Sequence, residues 1–179
     1  MKKNILMFLA VLFCINMPVF AEGKTKIAFI ILEENLDGKS TTVAESNLKR
    51  IFSKKGFIVV ESVFKDVKID EFLIDDDLIA EGIVDENGKI KSLVKNLEAE
   101  MVVIGKAVVE EIGSETNNII SYSASITATM FATANMKVLG SSKARIVSYG
   151  VDAEVGCLDA LERASAELAE NLANQILRK

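Results

Sequence analysis

From Ile120 to Ala134 the chain alternates between two kinds of residue. Ile120, Tyr122, Ala124, Ile126, Ala128, Met130, Ala132 and Ala134 share one parity. Ser121, Ser123, Ser125, Thr127, Thr129, Phe131 and Thr133 share the other, with Phe131 its only apolar member. Successive strand side chains point to opposite faces, so this period specifies a strand with one apolar and one hydroxyl-bearing face. Asn135 to Lys137 reads as a turn, and Val138 to Tyr149 returns as a second strand with Lys143 and Arg145 outward. A long hairpin of this kind needs cover on its apolar face, so the rest of the chain must supply it.

The other elements fit that demand. Ile27 to Leu32 is a continuous apolar run, the pattern of a strand buried on both faces. Thr42-Val43-Ala44-Glu45 has the spacing of a helix capping box. Val43, Leu48, Ile51 and Phe52 follow at helical spacing, and Gly56 sits where a helix ends. Phe57 to Val60 is a second strand, so the unit predicts a right-handed crossover between parallel strands. Phe64 to Gly88 is dense in acids, with a short helix predicted around Leu73, Ile74, Leu78 and Ile79 and a turn at Asp85–Gly88. Ile90, Leu93, Val94 and Leu97 share one helix face, and Met101–Ile104 begins a third buried strand that runs on to Glu110. A closing helix starts at Asp152 or Asp159 and ends at Leu177. Leu161, Ala164, Leu168, Leu172 and Ile176 form its apolar stripe. Ala160, Ala166, Ala169 and Ala173 permit close approach, and Arg178 and Lys179 suit the negative end of the helix dipole. The order predicts one α/β domain with a mixed sheet of about five strands (β-α-β-α-β-β-β-α), flanked by helices, and a long antiparallel hairpin at one side.

The first residues carry a different message. Lys2 and Lys3 precede an apolar run from Ile5 to Phe20, and Val19-Phe20-Ala21 places small residues before a cleavage point. Residues 1–21 are expected to be an export signal and 22–179 the domain, in the periplasm or secreted. The run falls short of the roughly 20 apolar residues that span a bilayer. Cys14 offers lipid anchoring as an alternative, but Phe13 is bulky where a lipidated cysteine wants a small neighbour. With the signal removed, Cys157 is the only cysteine, so no internal disulfide can form and a buried structural thiol is expected.

Several chemistries are excluded by composition. The formal net charge is −5, and loss of Lys2 and Lys3 makes the remainder more acidic still. Such a surface is a poor partner for nucleic acid or anionic lipid. Histidine is absent, which removes the Ser-His-Asp triad, the Cys-His pair and imidazole metal ligands. Gly38-Lys39-Ser40-Thr41 lies between a strand and a helix, as a phosphate-binding loop would, but Glu33 stands where the pattern needs its first glycine. Asp75-Asp76-Asp77 suggests calcium, but Ile79 replaces an oxygen ligand and no glycine follows at 80. Glu110-Glu111 could serve as an acid/base pair, although a chain with 26 acids offers many such pairs by chance. No catalytic residue, cofactor or metal site is therefore expected. The hydroxyl face is the better candidate: a docking surface, or an edge that adds to a partner strand, made by Thr127, Thr129 and Phe131 with Lys143 and Arg145. Phe131 is expected to be its exposed aromatic anchor. A merely solvated sheet face is the simpler alternative.

The order of segments also carries a resemblance. Met101-Val-Val-Ile-Gly-Lys106 follows a helix ending in Asn96-Leu-Glu-Ala-Glu100. The Ser/Ala-alternating hairpin comes next, then Ala160-Leu-Glu-Arg-Ala-Ser-Ala-Glu-Leu-Ala169. From Lys24 to Leu177 this resembles a group of bacterial envelope accessory domains. The group includes the middle domain of flagellar assembly protein T, the B-type lipoprotein activator of penicillin-binding proteins, the curli-secretion G-type lipoprotein and the TolB amino-terminal domain. The resemblance implies a fold like the anticodon-binding domain of tRNA synthetases and a non-enzymatic role in envelope assembly, flagellar or cell-wall. It also implies an envelope protein partner or a homo-oligomer, and it carries over no catalytic residues. The chain departs from the lipoprotein members in lacking a good lipobox, and from the curli pore former in lacking long insertions. An exported carboxylate-dependent hydrolase is the alternative reading.

Overall fold

The computed structural model describes residues 24–34, 36, 42–61, 94, 97–114 and 119–177. The export signal, the Gly38–Thr41 loop, the acidic segment with Asp75–Asp77 and the terminal Arg178 and Lys179 lie outside those residues. In chain order the elements are β1 (Lys26–Glu34), α1 (Val43–Lys54), β2 (Ile58–Val59), β3 (Met101–Ser114), β4 (Ile120–Ala132), β5 (Val138–Gly150) and α2 (Ala153–Leu177). The strands make one sheet in the order β2-β1-β3-β4-β5. β1 runs parallel to β2 and β3, while β3, β4 and β5 are antiparallel. This is the mixed α/β sheet, with a long hairpin at one side, that the sequence predicts.

Helices α1 and α2 cover one face. From that face the sheet presents Ile27, Phe29 and Ile31 of β1, Met101 and Val103 of β3, and the even residues Tyr122 to Met130 of β4. Phe29 and Phe57 each meet Phe52 of α1 edge-on, with ring centroids 5.3 Å apart. Leu161, Ala164, Leu168 and Leu172 of α2 are fully buried against the sheet, as the stripe requires. Each buried leucine contributes about 1.5–3 kcal/mol, which is why a helix so rich in alanine docks stably. Two close approaches are built on glycine. A Cβ on Gly156 would lie 2.2 Å from Tyr122 Cδ2, and one on Gly105 would lie 2.5 Å from the Thr127 carbonyl oxygen. Cys157 is buried, as expected. Of the two starts considered for α2, the first is used: Asp152 Oδ1 accepts the Glu154 N–H at 2.8 Å and its carbonyl accepts the Gly156 N–H at 3.0 Å.

One polar joint locks the two helices. Asn47 of α1 is buried, and its side-chain amide donates to the Glu162 carbonyl and the Ser165 Oγ of α2, both at 2.7 Å. Buried polar groups that find partners in this way specify one arrangement of two otherwise slippery apolar surfaces.

The second face of the sheet is covered at one end. Ala28, Ile30, Val102, Ile104 and Phe131 pack there with Val94, Leu97 and Ala99. The chain entering β3 is stitched to the end of β4: Thr133 Oγ1 donates to the Ala99 carbonyl at 2.6 Å, and Thr133 N–H to the Glu100 carbonyl at 3.0 Å. Of the helix expected over Ile90–Leu97, only Val94 and Leu97 fall among the described residues, and both are buried.

Candidate functional site

The open half of the second face lies beyond Phe131. Residues of odd number on β4 and β5 share it, paired across the hairpin as Thr129 with Ser141, Thr127 with Lys143, Ser125 with Arg145, Ser123 with Val147 and Ser121 with Tyr149. Lys106 of β3 flanks Thr127 and meets Glu34 at 3.5 Å. The hydroxyl row itself is shaded. Thr129 is 0% exposed and shares a 3.1 Å hydrogen bond with Ser141 Oγ. Ser121 and Ser123 are buried, and Ser125 and Thr127 are half-buried. The reason is position. β4 lies inside the sheet, and longer side chains from its neighbour lean over its short hydroxyls. Arg145 shows this directly, with Nε donating to Ser123 Oγ at 2.9 Å.

The accessible strip therefore belongs to β5. Lys143 and Arg145 are exposed, as expected. Val147 is 38% and Tyr149 60% exposed beside them. Two expectations need correction. Phe131 is only 4% exposed and belongs to the covered end of this face, where it packs with Val94, Leu97 and Ala99. Thr129 is likewise enclosed, so neither offers an exposed contact. Val147 and Tyr149 were missed, although the odd parity of Lys143 and Arg145, continued along the strand, points to them.

The end of β1 and the start of α1 hold a different device. Glu33, 1% exposed, accepts the Ala44 N–H on Oε2 at 2.7 Å and the Val43 N–H on Oε1 at 3.2 Å. Thr42 makes no side-chain cap bond, so the capping box read from Thr42 and Glu45 does not form. A carboxylate from the preceding strand occupies the helix N-terminus instead. Free N–H groups at a helix start attract anions, and here the chain supplies its own. Burial pushes the Glu33 carboxyl above its ordinary value, against the downward pull of the Ala44 and Val43 donors. Glu33 was read from the sequence as repelling phosphate; its place in the fold adds that it fills the position an incoming anion would take.

Among the described residues the remaining carboxylates form no cluster of three or more. Glu110 and Glu111 are exposed neighbours on β3, and adjacent strand residues face opposite ways. Among the described residues no three His, Cys, Asp or Glu side chains come together as a metal site. Asp159 of α2 accepts a 2.5 Å hydrogen bond from Ser148 of β5, which with Arg163 holds its carboxyl below the ordinary value despite partial desolvation. That contact ties helix to edge strand. No helix among the described residues is long and apolar enough to cross a membrane.

No family model and no curated protein matches the sequence. Solved structures do. The PelC dodecamer from Paraburkholderia phytofirmans is 15% identical, with a TM-score of 0.52 over 87% of this chain and 91% of that one. Lipoprotein GNA1162 from Neisseria meningitidis is 16% identical, with a TM-score of 0.46 over 87% and 99%. The LpoB C-terminal domain from Salmonella enterica is 16% identical, with a TM-score of 0.41 over 70% and 87%. The likeness to PelC is one of fold.

Proposed function

We propose that this chain is an exported, non-enzymatic accessory protein of the bacterial cell envelope that acts by binding protein, in the assembly or regulation of a flagellar or cell-wall machine. One observation carries the reading. β5 is a 13-residue strand at the end of the sheet that bears an exposed strip of Lys143, Arg145, Val147 and Tyr149. Monomeric sheets blunt such edges or cover them, and an exposed aromatic with an arginine is the composition of interface anchors. The signal-like start supports export. Glu33, the one buried carboxylate among the described residues, is engaged by a helix, which supports a structural rather than catalytic use. PelC, whose fold is similar, is described as a dodecamer, so an assembly of copies belongs to the same proposal.

A photo-crosslinking residue at position 147, in cells that express the full chain, tests this. The expected result is an adduct with an envelope protein in the periplasmic or membrane fraction, and none from exposed Glu167 on α2. Retention in the cytoplasm, or equal adducts from both positions, would overturn it.

A further inference from the structure

The free edge of β5 has a chemical polarity that names its occupant. At its first end, Gln175 of α2 donates to the Ser141 carbonyl at 3.0 Å and crowds Gly140, so that end is covered. Among the described residues β4 is the only strand paired with β5, and no strand of theirs pairs with its outer side from Ser142 to Gly150. Lys143 and Arg145 sit two residues apart on one face, followed by Val147 and Tyr149. β5 has no acidic residue, in a chain with 26 acids and a formal charge of −5. Neither cation meets a carboxylate among the described residues; Arg145 holds only the Ser123 hydroxyl.

We propose that β5 takes up an extended acidic peptide segment as a sixth strand. Resting on the protein-binding reading above, this assigns the partner's chemistry. An added strand runs antiparallel to β5, the more stable pairing. From its N-terminal end it carries two apolar side chains opposite Tyr149 and Val147, then two acidic ones opposite Arg145 and Lys143, each pair separated by one residue. Backbone pairing supplies affinity, and the alternate side chains supply selection. A second copy is disfavoured as the occupant. Laid against itself in any register, β5 offers no carboxylate to its own cations, and about Ala144 it sets Lys143 against Arg145, a like-charge pair that destabilises. The same two cations that guard the edge against self-pairing thus select an acidic strand.

The test uses the blocked peptide Thr-Val-Thr-Val-Thr-Glu-Thr-Glu-Thr and the full exported protein. The expected result is amide resonance shifts confined to Ser142–Gly150 and weaker binding when both glutamates become lysine. In the protein, Lys143→Glu with Arg145→Glu should weaken the glutamate peptide about tenfold or more, favour the lysine peptide and leave Tm unchanged. Peptides N-methylated at alternate residues, made in both phases, should differ sharply, because only one phase points its N–H groups at β5. No binding, no preference between the two peptides, equal effects of both methylation phases, or self-association broken by the charge reversal would each overturn the proposal. An envelope adduct from position 147 without acidic-peptide binding would sink the strand chemistry alone. Loss of that adduct would sink the protein-binding reading itself.

Discussion

Replacing Glu33 by alanine is the sharpest test of how the end of β1 caps α1. The buried Ala44 N–H would lose its acceptor, at a cost of about 1–3 kcal/mol. The Val43 N–H is half-buried and can turn to water, so its loss is smaller. One methylene leaves the core, worth about 0.8 kcal/mol. Release of a desolvated carboxylate offsets part of this, and the net loss should be about 2–3 kcal/mol, at or above the upper end for helix caps. For a domain of this size that lowers Tm by roughly 5–10 °C. Urea denaturation of wild type and Glu33→Ala at several pH values checks both size and sign. The folded state raises the Glu33 pKa, so the native chain binds that proton more tightly than the unfolded chain. Stability from this group is then fully present below the unfolded pKa and lost as pH rises through the folded one. The gap between wild type and variant should therefore widen on acidification from neutral pH through the raised pKa. A gap under about 0.5 kcal/mol would refute the cap. A gap that narrows on acidification would show that the two N–H donors outweigh burial.

Phe131→Ser should cost about 3–5 kcal/mol in urea melts, because it empties part of the second cluster; near-wild-type stability would return Phe131 to the surface. Gly156→Ala should destabilise by about 1–3 kcal/mol despite the better helix propensity of alanine, since its Cβ strikes the Tyr122 ring. Adding Tyr122→Leu should recover part of that loss, and strict additivity of the two changes would deny the clash. Tyr122→Phe should keep or raise Tm, because the Tyr122 hydroxyl is buried with no hydrogen-bond partner among the described residues; a clear drop would reveal a bond to that oxygen. Asp159→Asn should flatten the acid limb of the stability profile. The Ser148 bond lowers the Asp159 pKa, so wild-type stability from this group is present above the unfolded pKa and fades as pH falls through the folded one. An unchanged acid limb would mean that the tie between α2 and β5 contributes nothing.

Local pattern determined much of this protein. The alternation from Ile120 to Ala134 sets β4 and its two faces, because period two survives whatever the partner strands are. The unbroken apolar run of β1 announces a strand covered on both sides, and the leucine stripe of α2 announces its docking face. Lys143 and Arg145 could be placed outward for the same reason.

Only tertiary structure decided the rest. Parity states which face a residue points to, but not what lies over that face. Phe131 and Thr127 share one side of β4, yet Val94, Leu97 and Ala99, the last bonded to Thr133, pack on the first while the second stays half-open. The helix cap shows the same limit. Thr42 and Glu45 have the right local spacing, but Glu33 arrives from ten residues before Val43, and sequence spacing cannot rank a local acceptor against one delivered by a strand end. The edge position of β5 follows from the sheet order, a global property that no window of sequence contains. Local periodicity is encoded in each element's own residues; cover, capping partner and edge exist only between elements.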